Sequence, residues 1–473
     1  MLWLGLHFPR LTLEVFEVGA AEAGTPDKQA RVVTEAGRIV LCDDNAAAAG
    51  IAPGATLATA HSIVPQLAHY PRSPEREQQR LELLAEAGYG FSARVSLAPP
   101  AGIVLEIGAS LRLFGDAEAL EQRVLELCRG MGHSVRARRA VTPLAALILA
   151  RADADRLDDV RLSQAAVEPE RLGADRLERL ANMGIHRLGQ LLALPRRGLS
   201  RRFGADLTDY LDRITGDRPD PRPIIRPAEH FRATLHLLEP LNDKEALAFP
   251  MQRLLSDLQH WLVARQLGAE RLCWHFKSSA PRERTAMGVR FARARQRRDA
   301  FLDITRLKLA ETALPEDVID VTLEARRLVP WSSGSRGLFR DLPPASAETD
   351  DVVELVDQFR ARLGDGACYS LKSVDQHTPE AAWEPVPPLH RCHPVPARQQ
   401  AERPLWLFEP PRAVEPEALT LLKGPERIHT GWWLADRCHG EARDYYVARH
   451  RSGAECWVFV DPAERWFLHG YFG

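Results

Sequence analysis

The chain has 473 residues, which is too long for one domain and indicates three or four. Its 62 Lys and Arg residues nearly balance its 64 Asp and Glu residues, so any nucleic-acid binding would have to depend on local basic patches. The seven cysteines include no Cys-x-x-Cys motif, and Cys392 and Cys438, each followed by His, have no partner pair at zinc spacing. We therefore expect a reducing environment, no metal and no cofactor.

The N-terminal sequence MLWLGLHF does not fit a signal peptide. No positive charge precedes it, and Pro9 and Arg10 end the apolar run. No other apolar run approaches the roughly 20 residues that are needed to span a bilayer. These observations predict a cytoplasmic protein.

Hydrophobic periodicity predicts mixed strands and helices in the first third of the chain. Leu2, Leu4 and Leu6 alternate as in a strand, and residues 103–107 are also typical of a strand. Residues 73–88 have apolar positions at helical spacing and end at a glycine. Residues 142–150 are typical of a buried helix with a proline in its first turn.

A short helical unit follows at residues 177–195, with the Leu-x-x-x-Gly-Ile pattern of a helix-hairpin-helix. In that motif the glycine lets backbone N–H groups approach a DNA phosphate without reading the base sequence. The alternative is an ordinary helical hairpin with a solvated basic face. The candidate DNA-binding residues here are Gly184, Ile185, His186, Arg187, Arg201 and Arg202.

Beyond a Pro-rich linker at residues 217–227, predicted to be rigid and extended, we expect a helix at 245–267 and strands at 271–277 and 289–298. Arg293, Arg295 and Arg297 alternate in the last strand and are predicted to share one face of a sheet. That face suits a DNA backbone. The alternative is a solvated strand face that protects a sheet edge.

The composition changes again near residue 384, where a Pro-rich stretch predicts an extended tether. Within it, Leu405, Trp406, Leu407 and Phe408 resemble the x-Leu-x-Leu-Phe core of sliding-clamp-binding peptides, although Pro404 replaces the usual Gln. The alternative is that these residues begin a strand of the C-terminal unit. The stretch from Trp406 to the end holds five of the ten Trp residues, and a small β-rich module is predicted there.

Three N-terminal stretches, residues 2–14, 43–65 and 95–115, resemble the palm and fingers of Y-family (translesion) DNA polymerases. Such polymerases carry an Asp-x-Asp-x-Phe-like first strand and an Asp-Glu pair before Leu-Asp-Val-Thr. Alignment on Phe8 and Leu105 places Leu4, Ala101 and Gly102 at the three metal-binding carboxylates. None of these side chains can bind a metal ion.

The fingers depart from the polymerase pattern as well. The Tyr-x-x-Arg that would hold a triphosphate is matched by Asp44 and Ala47, and Pro9 stands at the aromatic gate. The chain thus resembles the ImuB-type, catalytically degenerate branch of the Y family. The resemblance implies an α+β multidomain fold: a ferredoxin-like palm at 1–165 with a fingers insert at about 31–70, a helix-hairpin-helix thumb and linker at 166–230, a little finger at 231–383, a tether at 384–408 and a β-rich module at 409–473.

The function that this resemblance implies is a non-catalytic scaffold in damage-induced mutagenesis, associated with the nucleoid. It would bind primer-template DNA and the sliding clamp, and recruit an error-prone C-family polymerase and a RecA-like accessory protein. Two alternatives stay open. One is an active translesion polymerase whose metal ligands are misassigned, and the other is a binding module that no longer needs DNA.

Overall fold

The computed structural model describes residues 1–17, 29–280, 284–331, 347–374, 376–390, 403–404, 406–430 and 441–472. The chain forms two compact units, Met1–Thr349 and Asp350–Gly473. No helix in these ranges is long and apolar enough to cross a membrane.

The first unit opens with a palm-like domain that contains a small insert. Its elements are β1 (Trp3–His7), α1 (Leu11–Glu17), β2 (Arg31–Glu35), β3 (Arg38–Cys42), α2 (Asp44–Ala48), α3 (Leu57–Ile63), β4 (Ala68–Pro71), α4 (Pro74–Gly88), β5 (Val95–Ala98), β6 (Gly102–Glu106), α5 (Leu111–Phe114), α6 (Ala117–Gly130), β7 (Arg136–Ala140) and α7 (Pro143–Ala152). An antiparallel sheet of order β5-β6-β1-β7 is formed by the succession β1, α4, β5, β6, α6, β7. This is the βαββαβ arrangement of a ferredoxin-like domain. The insert supplies a separate sheet of order β3-β2-β4.

Both faces of the palm sheet are covered, which explains why β1 is apolar almost throughout. Leu4 and Leu6 lie in the core cluster that includes residues of α4 and α6. On the other face, α7 packs so closely that a Cβ at Gly5 would lie 2.3 Å from the carbonyl carbon of Ala146. Only glycine fits at this position without moving the helix.

A helical domain continues from α7 through α8 (Leu162–Ala165), α9 (Ala174–Ala181), α10 (Leu188–Leu192), α11 (Arg196–Phe203) and α12 (Ala205–Thr215). Leu144 and Ile148 of α7 belong to its core, so α7 is shared between the palm sheet and this domain. The linker that follows packs against both domains. Asp220 is ion-paired with Arg213, and the Ile225 N–H donates to the Val95 carbonyl oxygen at 2.9 Å.

The last part of the first unit comprises β8 (Phe231–Leu241), α13 (Lys244–Arg265), β9 (Leu267–Ser278), β10 (Arg284–Arg295), α14 (Arg298–Glu311) and β11 (Val318–Pro330). The strands form an antiparallel sheet of order β10-β9-β11-β8. Helices α13 and α14 contact these strands and bury large side chains such as Trp261 and Phe301, together with Trp274 of the sheet. Alternate residues of the strands are therefore buried, while their neighbours form the opposite, open face.

The second unit contains helix α15 (Ala347–Leu363) from residue 350 onward and the hairpin β12 (Ser370–Ser373) and β13 (Trp383–Val386). A five-stranded antiparallel sheet follows, of order β14-β18-β17-β16-β15, built from β14 (Trp406–Ala413), β15 (Leu419–Thr430), β16 (Glu441–His450), β17 (Glu455–Val460) and β18 (Trp466–Tyr471). Stacked aromatic side chains form its core, with the rings of Tyr445 and Trp457 centred 4.0 Å apart.

Two predicted boundaries differ from these units. The range 231–383 crosses the division at residue 350, because the sheet that it was expected to contain ends at Pro330. The tether predicted for 384–408 also contains strand residues, since β13 extends to Val386 and β14 begins at Trp406. Residues 391–402, with Cys392, and residues 431–440, with Trp432, Trp433 and Cys438, lie outside the described part.

A buried ionic joint connects the palm to the sheet domain, and we define it by Glu14, His133, Arg80 and Asp257. Arg80 of α4 donates to Asp257 of α13 at 2.5 and 3.2 Å. It also donates from Nε to His133 Nε2 at 2.6 Å, while His133 Nδ1 lies 2.9 Å from Glu14. Because arginine can only donate, the proton of His133 is on Nδ1. Nearby, Trp261 Nε1 donates to Glu86 at 2.6 Å.

Removing one partner of the Arg80–Asp257 ion pair should lower the free energy of unfolding far more than replacing both partners with apolar residues. Arg80→Met leaves buried Asp257 with only the longer 3.7 Å contact to Arg253 among the described ion pairs, and Asp257→Leu removes the carboxylate that Arg80 binds. Each single change should cost about 3–5 kcal/mol of unfolding free energy, with Arg80→Met towards the lower value. The double variant should lose less than the sum of the two, as measured by urea unfolding. The exposed pair Arg156 and Asp158 is the matched control, and its double-mutant cycle should give close to zero coupling. Equal coupling in both pairs would contradict the prediction.

The joint should also make stability depend on pH. Burial and the Arg80 guanidinium lower the pKa of His133 to about 4. The unfolded imidazole, with a pKa near 6.5, takes up a proton first as pH falls, so this contribution is complete above about pH 6.5 and is lost towards pH 4. At most it amounts to about 3 kcal/mol. Urea unfolding at pH 7, 6 and 5 should show a shallower fall in stability for His133→Gln than for the unmodified chain; parallel curves would contradict this.

Candidate nucleic-acid interface

The turn between β5 and β6 is where the sequence alignment places two of the lost carboxylates, Ala101 and Gly102. In the sheet, Gly102 is opposite His7, and the Phe8 N–H donates to the Ala101 carbonyl oxygen at 2.9 Å. Leu4 is instead opposite Leu105, farther along the strand. The structure therefore brings His7, not Leu4, next to Ala101 and Gly102, so the alignment chose the wrong register for the first strand.

The corrected register still gives this turn no carboxylate. Two-metal sites hold their ions about 3.5–4 Å apart, so their ligands have to converge. Leu4 is fully buried in the core, and burial, followed by the charge of Arg151, lowers the pKa of His7 to about 4. His7 is therefore neutral at physiological pH. Within the described ranges, no group of three or more His, Cys, Asp or Glu side chains is placed to hold a metal ion.

The insert places an acidic side chain near the end of the palm strand. Asp43 caps α2 by accepting from the Ala46 N–H, which leaves the next residue, Asp44, exposed. The Asp44 carboxylate forms a 3.0 Å ion pair with Arg10, in the segment directly after Pro9. Ala47 is exposed and carries no charge. The guanidinium group of Arg10 is therefore already paired with a carboxylate of the same chain.

The helical hairpin at 177–195 has the predicted turn, with Gly184 at φ +78° between α9 and α10. Its backbone donors, however, have acceptors within the chain. The N–H groups of His186 and Arg187 donate to the Gln190 side chain at 2.9 and 3.0 Å, and the Ile185 N–H donates to the Leu180 carbonyl. The sequence did not reveal this capping by Gln190. What the hairpin offers to DNA is therefore its cationic side chains.

Those side chains are the predicted arginines. Arg187 is more than half exposed and lies 3.4 Å from Asp159. Arg201 and Arg202 are exposed in the last turn of α11. All three are therefore solvent-facing cations of the helical domain.

The predicted sheet face shared by Arg293, Arg295 and Arg297 does not extend to Arg297, and a register shift interrupts the strand pairing before Arg295. Arg290 pairs with Arg271 and Arg295 pairs with Ala269, so five residues of β10 span the length of two residues of β9. A bulge therefore lies between Arg290 and Arg295. Arg297 lies beyond the strand, as the residue that precedes α14. A bulge breaks the two-residue period on which the prediction depended.

A different set of cations occupies the open face of this sheet. The strand register places Arg290 of β10, Arg271 of β9 and Arg326 of β11 in one row across three strands. A second row contains Arg284, Lys277 and Asp320. The signal for these rows was present in the sequence, since Met287, Val289 and Phe291 alternate with Arg284, Gly288 and Arg290.

Acidic residues of β11 balance part of this charge. Arg326 donates to Glu324 at 2.7 Å, and Lys277 donates to Asp320 at 3.0 Å. Burial would raise the pKa of Asp320, but hydrogen bonds from His236 and Lys277 hold it below its ordinary value. The row of Arg290, Arg271 and Arg326 is therefore the more cationic of the two. Like charges opposite one another destabilise a sheet, and a bound anion would relieve this repulsion.

The residues that resemble a clamp-binding motif begin a strand of the C-terminal sheet, which was the alternative prediction for them. Trp406 and Leu407 pair with Tyr471 and Gly470 in the sheet, so the motif begins β14. Leu407 packs against one aromatic cluster, and the ring of Phe408 is 5.7 Å from that of Tyr471. Trp406 is 73% exposed. Leu405 lies outside the described residues.

Comparison with known proteins shows which proteins the chain is similar to. No protein-family model matches the chain. It is 29% identical over 471 residues to Protein ImuB from two strains of Caulobacter vibrioides, covering 90% of this chain and all of each relative. The predicted resemblance to ImuB-type proteins is confirmed. Similar solved structures include a Dbh ternary complex (15% identity, 69% of this chain and 98% of that chain, TM-score 0.37) and DinB from Sulfolobus solfataricus (14% identity, 70% and 100%, TM-score 0.34). The predicted α+β multidomain fold is confirmed by the strands, helices and separate sheets of the structure itself.

Proposed function

We propose that the chain is a non-catalytic, polymerase-like scaffold that binds primer-template DNA during damage-induced mutagenesis. The observation that carries this proposal is the turn at Ala101 and Gly102, which faces His7 instead of an aspartate. Nucleotidyl transfer depends on two metal ions that stabilise the attacking and leaving oxygens, by several kcal/mol in all. Since about 1.4 kcal/mol corresponds to a factor of ten in rate, a palm without these ligands is not expected to polymerise.

DNA binding in this proposal depends on the open face of the β10-β9-β11-β8 sheet. The row of Arg290, Arg271 and Arg326 spans three strands and faces away from the helices. Guanidinium groups bind phosphate oxygens without reading bases, so the affinity should be independent of sequence and sensitive to salt. The arginines at the bulge and at the start of α14 continue β10, and those of the helical domain add further positive charge: Arg293, Arg295, Arg297, Arg187, Arg201 and Arg202.

Recruitment is assigned to the C-terminal unit. The ImuB-type resemblance supports an error-prone C-family polymerase and a RecA-like accessory protein as partners. Sliding-clamp binding would use the start of β14, where exposed Trp406 precedes Leu407 and Phe408. Because the last two side chains pack within the sheet, they have to leave β14 before they can enter a pocket on the clamp. Clamp binding and closure of β14 therefore compete.

Removing the cationic row should weaken DNA binding and reduce its salt dependence. For Arg271→Ala/Arg290→Ala/Arg326→Ala, we expect at least tenfold weaker binding to primer-template, because up to three phosphate contacts are lost. The slope of log affinity against log salt should fall by about 2. Fluorescence anisotropy between about 50 and 200 mM NaCl measures both quantities.

The matched control replaces three arginines of the C-terminal unit, Arg449, Arg451 and Arg465, with alanine. An equal loss in the control would contradict the proposed surface. Adding magnesium or manganese and deoxynucleotides to the same reactions tests the other half of the proposal. Bound primer should remain unextended, whereas template-directed extension that survives stringent purification would show that the chain is a polymerase.

Opening of β14 can be tested with the sliding clamp. Leu407→Ala/Phe408→Ala should abolish clamp binding while DNA affinity changes less than about twofold, since these residues lie outside the proposed DNA surface. The same variant should melt at a lower temperature, whereas Trp406→Ala, which removes an exposed side chain, should not. A free peptide of residues 403–412 should bind the clamp more tightly than the intact chain. Equal affinities would show that β14 does not have to open.

A further inference from the structure

Helix α15 exposes a stripe of large apolar side chains that nothing in the proposed function uses. The exposed fractions are 49% for Val352, 48% for Leu355, 44% for Phe359 and 72% for Leu363. Their spacing of three, four and four residues places all four on one side of the helix. Half-exposed Val356 lies on the same side.

The opposite side of α15 is anchored. Val353, Asp357 and Ala361 are buried, and they alternate with the stripe at helical spacing. The helix cannot turn to hide the stripe without exposing these residues. It therefore presents an apolar surface outwards on the side opposite its buried residues.

The charges beside the stripe differ between its two ends. Asp351 flanks the stripe near the beginning of the helix, and Arg362 flanks it on the same side near the end. Eleven residues correspond to slightly more than three complete turns, which brings these two side chains to nearly the same angular position. The surface is thus acidic at one end and basic at the other, with an apolar centre.

We propose that this surface binds a second copy of the chain, with the two α15 helices antiparallel about a two-fold axis. In this arrangement Leu355 packs against Phe359 of the second copy, and Val352 packs against Leu363. Asp351 of each copy then lies beside Arg362 of the other. A two-fold interface has to be complementary to itself, and this distribution of apolar and charged residues satisfies that requirement.

A parallel arrangement satisfies it less well, because it would place the flanking charges of the two copies on opposite sides of the contact, where Asp351 of one copy cannot meet Arg362 of the other. The apolar stripe is shorter than a standard interface, which buries about 800 Å² on each partner. The dimer should therefore be weak and concentration-dependent. Its formation does not depend on DNA or on the proposed scaffold function.

Sedimentation velocity of the intact chain, over a concentration series to roughly 100 μM, tests this interface. The unmodified chain should shift from monomer to dimer as its concentration rises. Leu355→Ser/Phe359→Ser should remain monomeric, and far-ultraviolet circular dichroism should show that the variant is folded. Leu421→Ser/Leu422→Ser, which changes two exposed apolar residues of β15, is the matched control and should dimerise normally.

Charge reversal distinguishes the antiparallel arrangement from any other. Asp351→Arg and Arg362→Asp should each weaken dimerisation at least tenfold, because each places like charges together. The double variant should recover most of the affinity, since it exchanges the two charges without changing their complementarity. A chain that stays monomeric throughout, a dimer that the stripe variants leave intact, or a double variant no better than either single one would each overturn the proposal.

Discussion

The buried contact between Arg80 and Asp257 is the constraint on which the first unit depends. It joins α4, which covers the palm sheet, to α13, which covers the second sheet. Both charges have been removed from water, and although Asp257 also lies 3.7 Å from Arg253, its contact with Arg80 is the shorter one. His133 and Glu14 extend the contact to the beginning of the chain. The relation between the palm and the open cationic sheet is therefore set by electrostatics as well as by apolar packing.

This constraint gives the scaffold interpretation a physical basis. A polymerase can use relative movement of its domains during catalysis, whereas a binding surface benefits from being preorganised, because less freedom is lost on association. Here the palm lacks convergent carboxylates at the turn facing His7, and the cationic sheet is attached to the palm through buried hydrogen bonds. Both features are consistent with the proposed role, which is to hold DNA for another protein.

Sequence patterns predicted the positions of helices and strands better than the register and contacts between them. Alternation identified β1 and the strand at 103–107, and helical spacing identified α4 and α7, because these signals are local. The register between β1 and β6 is not local, and a three-residue error put Leu4 in the place of His7. The bulge in β10 likewise displaced the predicted arginine face. Arg80 and Asp257 are 177 positions apart, and no pattern in one sequence connects them.

The C-terminal unit shows a different limit, since an extended docking peptide and an edge strand share the same residue preferences. Pro404 and the apolar residues after it fit both descriptions, and only pairing with β18 distinguishes them. The aromatic residues behave similarly. Tyr445 and Trp457 are stacked in the core, whereas Trp406 is exposed at an edge, although all three look alike in the sequence.

The close approach at Gly5 has a consequence for the geometry of the whole first unit. Helix α7 lies on the palm sheet at this point, and through Leu144 and Ile148 it also forms part of the core of the helical domain. A methyl group at position 5 would therefore clash with the backbone of α7 at its contact with the palm sheet. It would push α7 away from the sheet and carry the basic hairpin with it. The missing Cβ of Gly5 therefore allows the close spacing between the palm sheet and α7, which is shared with the helical domain.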